Sequence, residues 1–354
     1  MENYRTEQLN GSDPVAMEKA CALLKAGELV AFPTETVYGL GGDALNPEAS
    51  AKIYAAKGRP SDNPLIVHIA DVAAVEELAD ISAIPDTMQE KAKHLMEAFW
   101  PGPLTVILPK KDIVPHATTG GLETVAIRMP SHPAAMELIK KSGIFIAAPS
   151  ANASGRPSPT KAEHVMQDLS GRIPLILDGG AVGIGIESTI VDMTGEVPTI
   201  LRPGFITKKM LTEMIGEVMI DPALTEPDKN LRPKAPGMKY THYAPQGELT
   251  IVEGNASAIT DRINTLCAEK ASRGFTVSVL ATEEHVAAYT CPHVITVGNE
   301  ADGATVAARL YAALRECDAM GAQYIYSEAF DGTELSGAIM NRLMKAAGHH
   351  ILKV

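Results

Sequence analysis

KIYAAKGRPSDNPLIVHI, residues 52–69, takes the chain out of a helix, through a loop with two prolines, and into an apolar strand. Asn46-Pro47 opens that helix, because Asn can accept from exposed amides and proline suits a first turn, and the helix ends near Gly58. LIVHI (65–69) reads as a buried strand. Lys57 and Arg59 flank the glycine. Lys57 alone is explained by a helix dipole, whose C-terminus a cation stabilises by about 0.3–1 kcal/mol. Arg59 is not, because the helix has already ended and Pro60 fixes the backbone beyond it. A forked donor held beside an ammonium suits a phosphate or a carboxylate.

The same punctuation recurs on both sides. Asp13-Pro14 opens a helix that Gly27 closes, and a strand follows over 28–32. Leu104–Leu108, TVAIR (124–128), IFIAA (144–148), PLILD (174–178), STIVD (188–192) and PTILR (198–202) are short, β-branched and bounded by Gly or Pro. They predict one mixed sheet with flanking helices over 1–214. From 215 to 246 five prolines fall in a charged, weakly apolar stretch, which reads as a linker. Beyond it strand and helix alternate regularly, the pattern of a smaller parallel-sheet, Rossmann-like α/β domain over 247–354.

The 354 residues suit two domains, and the 45% apolar and 21% charged shares are those of an ordinary globular chain. No run reaches the roughly 18 apolar residues of a membrane span, and the polar N-terminus lacks a secretory pattern, so a cytoplasmic protein is expected. Cys21, Cys267, Cys291 and Cys317 are scattered, without metal-ligand spacing, and read as buried thiols. A net charge of −12 with 5% aromatic residues disfavours a large nucleic-acid footprint. Any anion handled must be small and held by a local group of cations.

Three further loops fit such a role. APSANASGRPSPT (148–160) offers hydroxyls and amides directly after a strand, DGGAVGIGIEST (178–189) delivers Ser188 to a strand start, and ILRPG (200–204) sets Arg202 at a strand end. Each alone reads as a solvated turn; together they describe a cleft. Arg128, ending TVAIR, is a charge on an apolar strand that needs an anion, and a bound carboxylate would serve. His68, inside LIVHI, reads as a satisfied core histidine. There is no P-loop and no G-x-S-x-G elbow, and Gly39–Ala44 fits G-x-G-x-x-A only by chance, being too far from the preceding strand. Cations and hydroxyls without a metal cage or an activated nucleophile suit phosphoryl or nucleotidyl transfer, where placement and charge stabilisation dominate.

PTETVYGLGGDA, the K-x-R of AAKGRPSDNPL, WPGPLTVIL, TVAIRMP, PSANASGRPSPT, GIESTIVD and ILRPG run in that order, and together they resemble the threonylcarbamoyl-AMP synthases, the YrdC-like family. PGMKYTHYAP (236–245), followed by an α/β domain, resembles the longer two-domain members. The resemblance implies an ATP-dependent nucleotidyltransferase that joins L-threonine, bicarbonate and ATP into threonylcarbamoyl-AMP and pyrophosphate. Mg2+ would accompany ATP, and the product would pass to tRNA threonylcarbamoyl-transfer proteins. It places Lys57, Arg59, Asn63, Thr124, Ser150, Ser158 and Arg202 on the ATP side, with Lys57 and Arg59 as the catalytic cations. Thr36, His68, Arg128, Ala148 and Ser188 fall on the threonine side, and His242 and Tyr243 on a linker that crosses the cleft. Ala235 departs from the serine expected before the linker's Pro-Gly-Met. Two other readings are an RNA-binding module gripping tRNA through the basic cleft, and a carbamoyl-phosphate-using transferase, whose larger relatives carry zinc fingers that this chain lacks.

Overall fold

The computed structural model describes residues 4–224, 234–236 and 242–354. Of the expected linker, 225–233 and 237–241 lie outside the described residues. The chain divides into two compact units, Met1–Ser154 with Pro159–Gly183 and Glu187–Lys239, and Gly155–Ser158 with Ile184–Ile186 and Tyr240–Val354.

The first unit is built on strands β1 (Glu7–Asn10), β2 (Val30–Phe32), β3 (Gly39–Asp43), β4 (Ile66–His68), β5 (Leu104–Pro109), β6 (Thr124–Arg128), β7 (Ile146–Ala147), β8 (Leu175–Asp178), β9 (Thr189–Asp192), β10 (Thr199–Arg202) and β11 (Met219–Ile220). They form one sheet in the order β1-β8-β2-β3-β7-β4-β6-β5-β9-β10-β11, with parallel and antiparallel neighbours mixed. Residues 219–220, which the sequence places in the linker, pair with β10.

The sheet has two differently used faces where β4, β6, β5 and β9 lie side by side. Val67, Ile127, Val106 and Val191 point into the main core beneath the helix Asp86–Phe99, whose Met88, Ala92, Leu95 and Met96 meet them. Their chain neighbours Ile66, Ala126, Ile107 and Ile190 point the other way and gather around Ala235 with Leu201. The described piece of linker therefore lies on this second face, where Lys234 Nζ also sits 3.9 Å from Asp192 Oδ2. Ala235 is fully buried in an apolar group, where a serine hydroxyl would need a partner.

Gly39–Asp43, read from sequence as irregular, is an interior strand. A Cβ on Gly41 would stand 2.7 Å from Ile146 Cγ2 and 2.8 Å from Phe32 Cε1. Glycine is there to let bulky neighbours close over the strand, and the loss of side chains is what hid its alternation.

The second unit carries β12 (Glu248–Glu253), β13 (Val277–Ala281), β14 (Val294–Thr296), β15 (Tyr324–Glu328) and β16 (Ile351–Lys353) in the order β14-β13-β15-β12-β16. Every pairing is parallel, as the alternation of strand and helix requires.

Candidate active site

Two residues beyond Ile66, Ala126 and Ile107, the second face becomes polar on β4, β6 and β5, while Ile190 on β9 stays apolar. His68 is the register partner of Arg128, Arg128 of Thr105, Thr105 of Ile190, and Ile190 of Arg202, a single transverse line across β4, β6, β5, β9 and β10. Residues directly opposite one another share a face, so the pairing itself assembles these side chains. The irregularity between Ile200 and Arg202 sets Leu201 against the apolar group while Arg202 stays in register, as a bulge allows.

Arg128 is 4% exposed and does not wait for a ligand to supply its anion. Its Nη2 donates to Glu35 Oε1 at 2.6 Å, Nη1 to the Thr36 hydroxyl at 3.0 Å and Nε to the Gly102 carbonyl at 3.4 Å. Glu35 also accepts from the Ser131 amide. Burial pushes the Glu35 carboxyl up, but the Arg128 guanidinium outweighs it and holds the group below its ordinary value. Thr34 folds this turn, donating to the Val37 carbonyl at 2.6 Å. Glu35 was missed in the sequence, where it is one carboxylate in an irregular stretch; the buried arginine that needs it is 93 residues away.

His68 is fully buried, Nδ1 facing the Ile66 carbonyl at 3.1 Å and the ring edge-on to Phe32. Burial first, and then the Arg128 charge, bring its pKa down to about 3, so the imidazole is neutral at physiological pH. Ser188 takes a hydrogen bond with the Thr105 hydroxyl at 2.8 Å and accepts from Arg202 Nη2 at 3.1 Å, while Arg202 Nε donates to the Ser188 carbonyl. The sequence-derived division sets Arg202 with ATP and Ser188 with threonine, yet the two side chains touch. Gly204 makes this possible: a Cβ there would meet the Thr189 amide at 2.6 Å and the Glu187 carbonyl at 2.7 Å.

Lys57 and Arg59 turn out to do different things. Lys57 is 3% exposed, and its ammonium donates to the carbonyls of Ser150 at 2.5 Å and Asn152 at 2.6 Å, and to Asn152 Oδ1 at 3.2 Å. Three donors meet three acceptors, so this charge pins the 148–154 loop from beneath. The Lys57 carbonyl adds a bond from the Ser154 amide, and Ser150 Oγ closes on Asn152 Oδ1 at 2.5 Å. The loop in turn runs against β3 and β4, with Ala148 N bonded to the Ile66 carbonyl. Arg59 is half-buried and donates to the carbonyls of Asn63 and Pro64 at 3.2 and 3.1 Å, which orders the turn before β4. The Asn63 side-chain oxygen is buried, with no hydrogen-bond partner among the described residues. Thr124 opens β6, four residues from Arg128, so it stands roughly 13 Å from the arginine at about 3.3 Å per residue.

Ser158, His242 and Tyr243 belong to the second unit. Tyr243 has φ 66, a left-handed backbone rare for tyrosine, and its ring stacks on Tyr311 with centroids 5.2 Å apart. Among the described residues no group of three or more His, Cys, Asp or Glu could hold a metal ion.

A mixed α/β sheet with an arginine-lined polar row, a cation-pinned Ser/Asn loop and a second parallel-sheet unit defines a two-domain transferase of the YrdC class. The family model described as "Telomere recombination" (Sua5, YciO and YrdC proteins) matches residues 22–204, and that described as "Threonylcarbamoyl-AMP synthase, C-terminal domain" matches 206–348. The chain is 52% identical over 349 residues to the Bacillus subtilis threonylcarbamoyl-AMP synthase, covering 98% of this chain and 97% of that one. It is 46% identical to the Pyrococcus abyssi enzyme of the same name, with 95% of each chain covered. The crystal structure of P. abyssi Sua5 complexed with L-threonine superposes with a TM-score of 0.90 at 44% identity, over 99% of this chain and 98% of that one. The chain belongs to the threonylcarbamoyl-AMP synthase family, in its two-domain form, and is an enzyme of that family.

Proposed function

We propose that the protein converts L-threonine, bicarbonate and ATP into L-threonylcarbamoyl-AMP and pyrophosphate, for threonylcarbamoyladenosine modification of tRNA. The threonine amine takes up bicarbonate with loss of water, and an oxygen of the resulting carbamate attacks the α-phosphorus of ATP. The bond to the bridging oxygen breaks, and pyrophosphate leaves. The observation that carries this reading is the buried Arg128–Glu35–Thr36 cluster at the end of β6, whose guanidinium, carboxylate and hydroxyl suit the polar groups of an amino acid. The L-threonine bound to the P. abyssi relative supports it.

On this reading Arg128, Thr36, neutral His68, the Ala148 backbone and Ser188 receive threonine. A neutral imidazole there leaves the amine free of a competing cation. Arg59, Asn63, Thr124 and Ser150 face the nucleotide, with Arg202 spanning both through Ser188. The buried Asn63 oxygen is an acceptor that a donor on the nucleotide would satisfy. Lys57 contributes by fixing the loop that carries Ser150. Catalysis then rests on placement and fixed positive charge. Mg2+ would arrive on the phosphates of ATP, where it needs few protein ligands, and no step is assigned to it. No helix among the described residues is long and apolar enough to cross a membrane, which suits transfer of the product in the cytoplasm to the tRNA-modifying proteins.

Incubation with labelled bicarbonate, L-threonine and Mg-ATP should give threonine-dependent pyrophosphate and a labelled adenylate. Pyrophosphate release that is the same without threonine would overturn the proposal.

A further inference from the structure

Two of the four cysteines, separate in sequence, come together in the second unit. Cys267 lies on the helix Ala256–Ser272, and Cys291 on the irregular segment before β14. Both belong to one apolar cluster, and both line one cavity of about 280 Å3 with Phe275, Val277, Thr290 and His293. The two thiols act on each other electrostatically, and Cys291 Sγ donates to the Val277 carbonyl at 3.3 Å and the His293 carbonyl at 3.8 Å. Cys21 and Cys317 are buried too, but each lies apart from this cavity.

Their mutual influence divides their chemistry. The neighbouring Cys291, together with burial, holds Cys267 above the ordinary thiol range, while Cys267, working against burial, draws Cys291 below it. The thiolate is the nucleophilic form of cysteine, so one member is suited to attack and the other to resolve.

We propose that Cys267 and Cys291 are an oxidation site, a dithiol that hydrogen peroxide entering the adjoining cavity converts to a disulfide. The Cys291 thiolate attacks one peroxide oxygen, the O–O bond breaks, and the departing hydroxide takes a proton to become water, leaving Cys291 as the sulfenic acid. The Cys267 sulfur then attacks Cys291, the S–O bond breaks, and water leaves with the Cys267 proton as the S–S bond forms. In sum two thiols and one peroxide give one disulfide and two waters; the sulfurs lose two electrons and the peroxide gains them. Cys291 lies outside regular structure, so it can supply the movement that brings the two thiols, neighbours in one cavity, to bonding distance. The site lies within the second unit and is independent of the reaction proposed for the first.

The full-length reduced protein is exposed to graded hydrogen peroxide, quenched with N-ethylmaleimide under denaturing conditions, and weighed intact. The expected result is loss of two of the four maleimide labels, one Cys267–Cys291 cross-linked peptide on digestion, and recovery of both labels with dithiothreitol. In Cys267→Ser, dimedone should trap sulfenic acid at Cys291. If that variant does not fold, labelling of the unsubstituted protein decides alone. Retention of all four labels in large peroxide excess, or a cross-link that uses Cys21 or Cys317, would overturn the proposal.

Discussion

Arg128 Nη2 lies 2.6 Å from Glu35 Oε1, with the side chains 5% and 14% exposed, so the cation at the head of the candidate threonine site is already neutralised from within the chain. Glu35→Gln keeps the shape and removes the charge. Breaking one side of a buried pair costs on the order of 3 kcal/mol, because the other charge remains buried and uncompensated. Urea unfolding should show that loss, and calorimetry should show weaker threonine binding. Unchanged stability in Glu35→Gln would mean that solvent, not Glu35, compensates Arg128.

Lys57 should behave as a pin. Replacing it by Met removes three donors from Ser150 and Asn152, each bond to a charged group being worth roughly 1.5–3 kcal/mol. Amides of 150–154 should exchange hydrogen much faster in Lys57→Met, and nucleotide affinity should fall with them. If affinity falls while loop exchange stays as slow as before, Lys57 acts on the phosphates directly.

Stability should fall on acidification, from His68 before Glu35. The folded His68 pKa of about 3 lies below its ordinary value of 6.5, so between these pH values the unfolded chain binds a proton that the folded chain refuses. The contribution is complete above pH 6.5 and drains away as pH falls, by about 3 kcal/mol at pH 4.5 at roughly 1.4 kcal/mol per pH unit. Glu35, also lowered, adds its loss below its ordinary value of 4.5. Unfolding free energies measured from pH 7 to 4.5 should flatten in His68→Gln by that amount. An identical slope in the two proteins would show that another group carries the dependence.

Gly204→Ala should act at a distance from any ligand. Its Cβ has no room against the Thr189 amide and the Glu187 carbonyl, so the turn must shift and draw Arg202 off Ser188. A loss of about 1–3 kcal/mol in stability, typical of overpacking, should accompany a higher KM for ATP. A variant with unaltered melting and kinetics would show that the 187–189 segment yields freely.

Much of this arrangement is legible in the residues. The β-branched runs 104–108, 124–128 and 188–192 coincide with β5, β6 and β9, because a strand buried on both faces writes itself as a continuous apolar run. The Asn46-Pro47 opening and Gly58 closing of the second helix hold as well, with Gly58 at φ 63. β3 escaped notice because its glycines have no side chains to alternate, whereas the helix Pro133–Ser142 carries legible signals, a proline in its first turn and Gly143 closing it at φ 67. For the site, strand ends mark where charges emerge but not what they meet. Lys57 and Arg59 are two residues apart yet serve a loop 93 residues downstream and a turn four residues on, respectively. Partnership of that kind is decided by which segments pack together in space, which one-dimensional spacing does not carry.

Ala235 gives the connecting segment a second duty. Because it fills a hole among Ile66, Ile107, Ala126, Ile190 and Leu201, the catalytic half does not end where its last predicted strand ends. A protein cut at residue 214 would lose both the edge strand at 219–220 and this plug, and would present a greasy floor beside the arginine row to water or to another molecule. Any attempt to isolate the catalytic half should therefore keep the chain at least through Pro236.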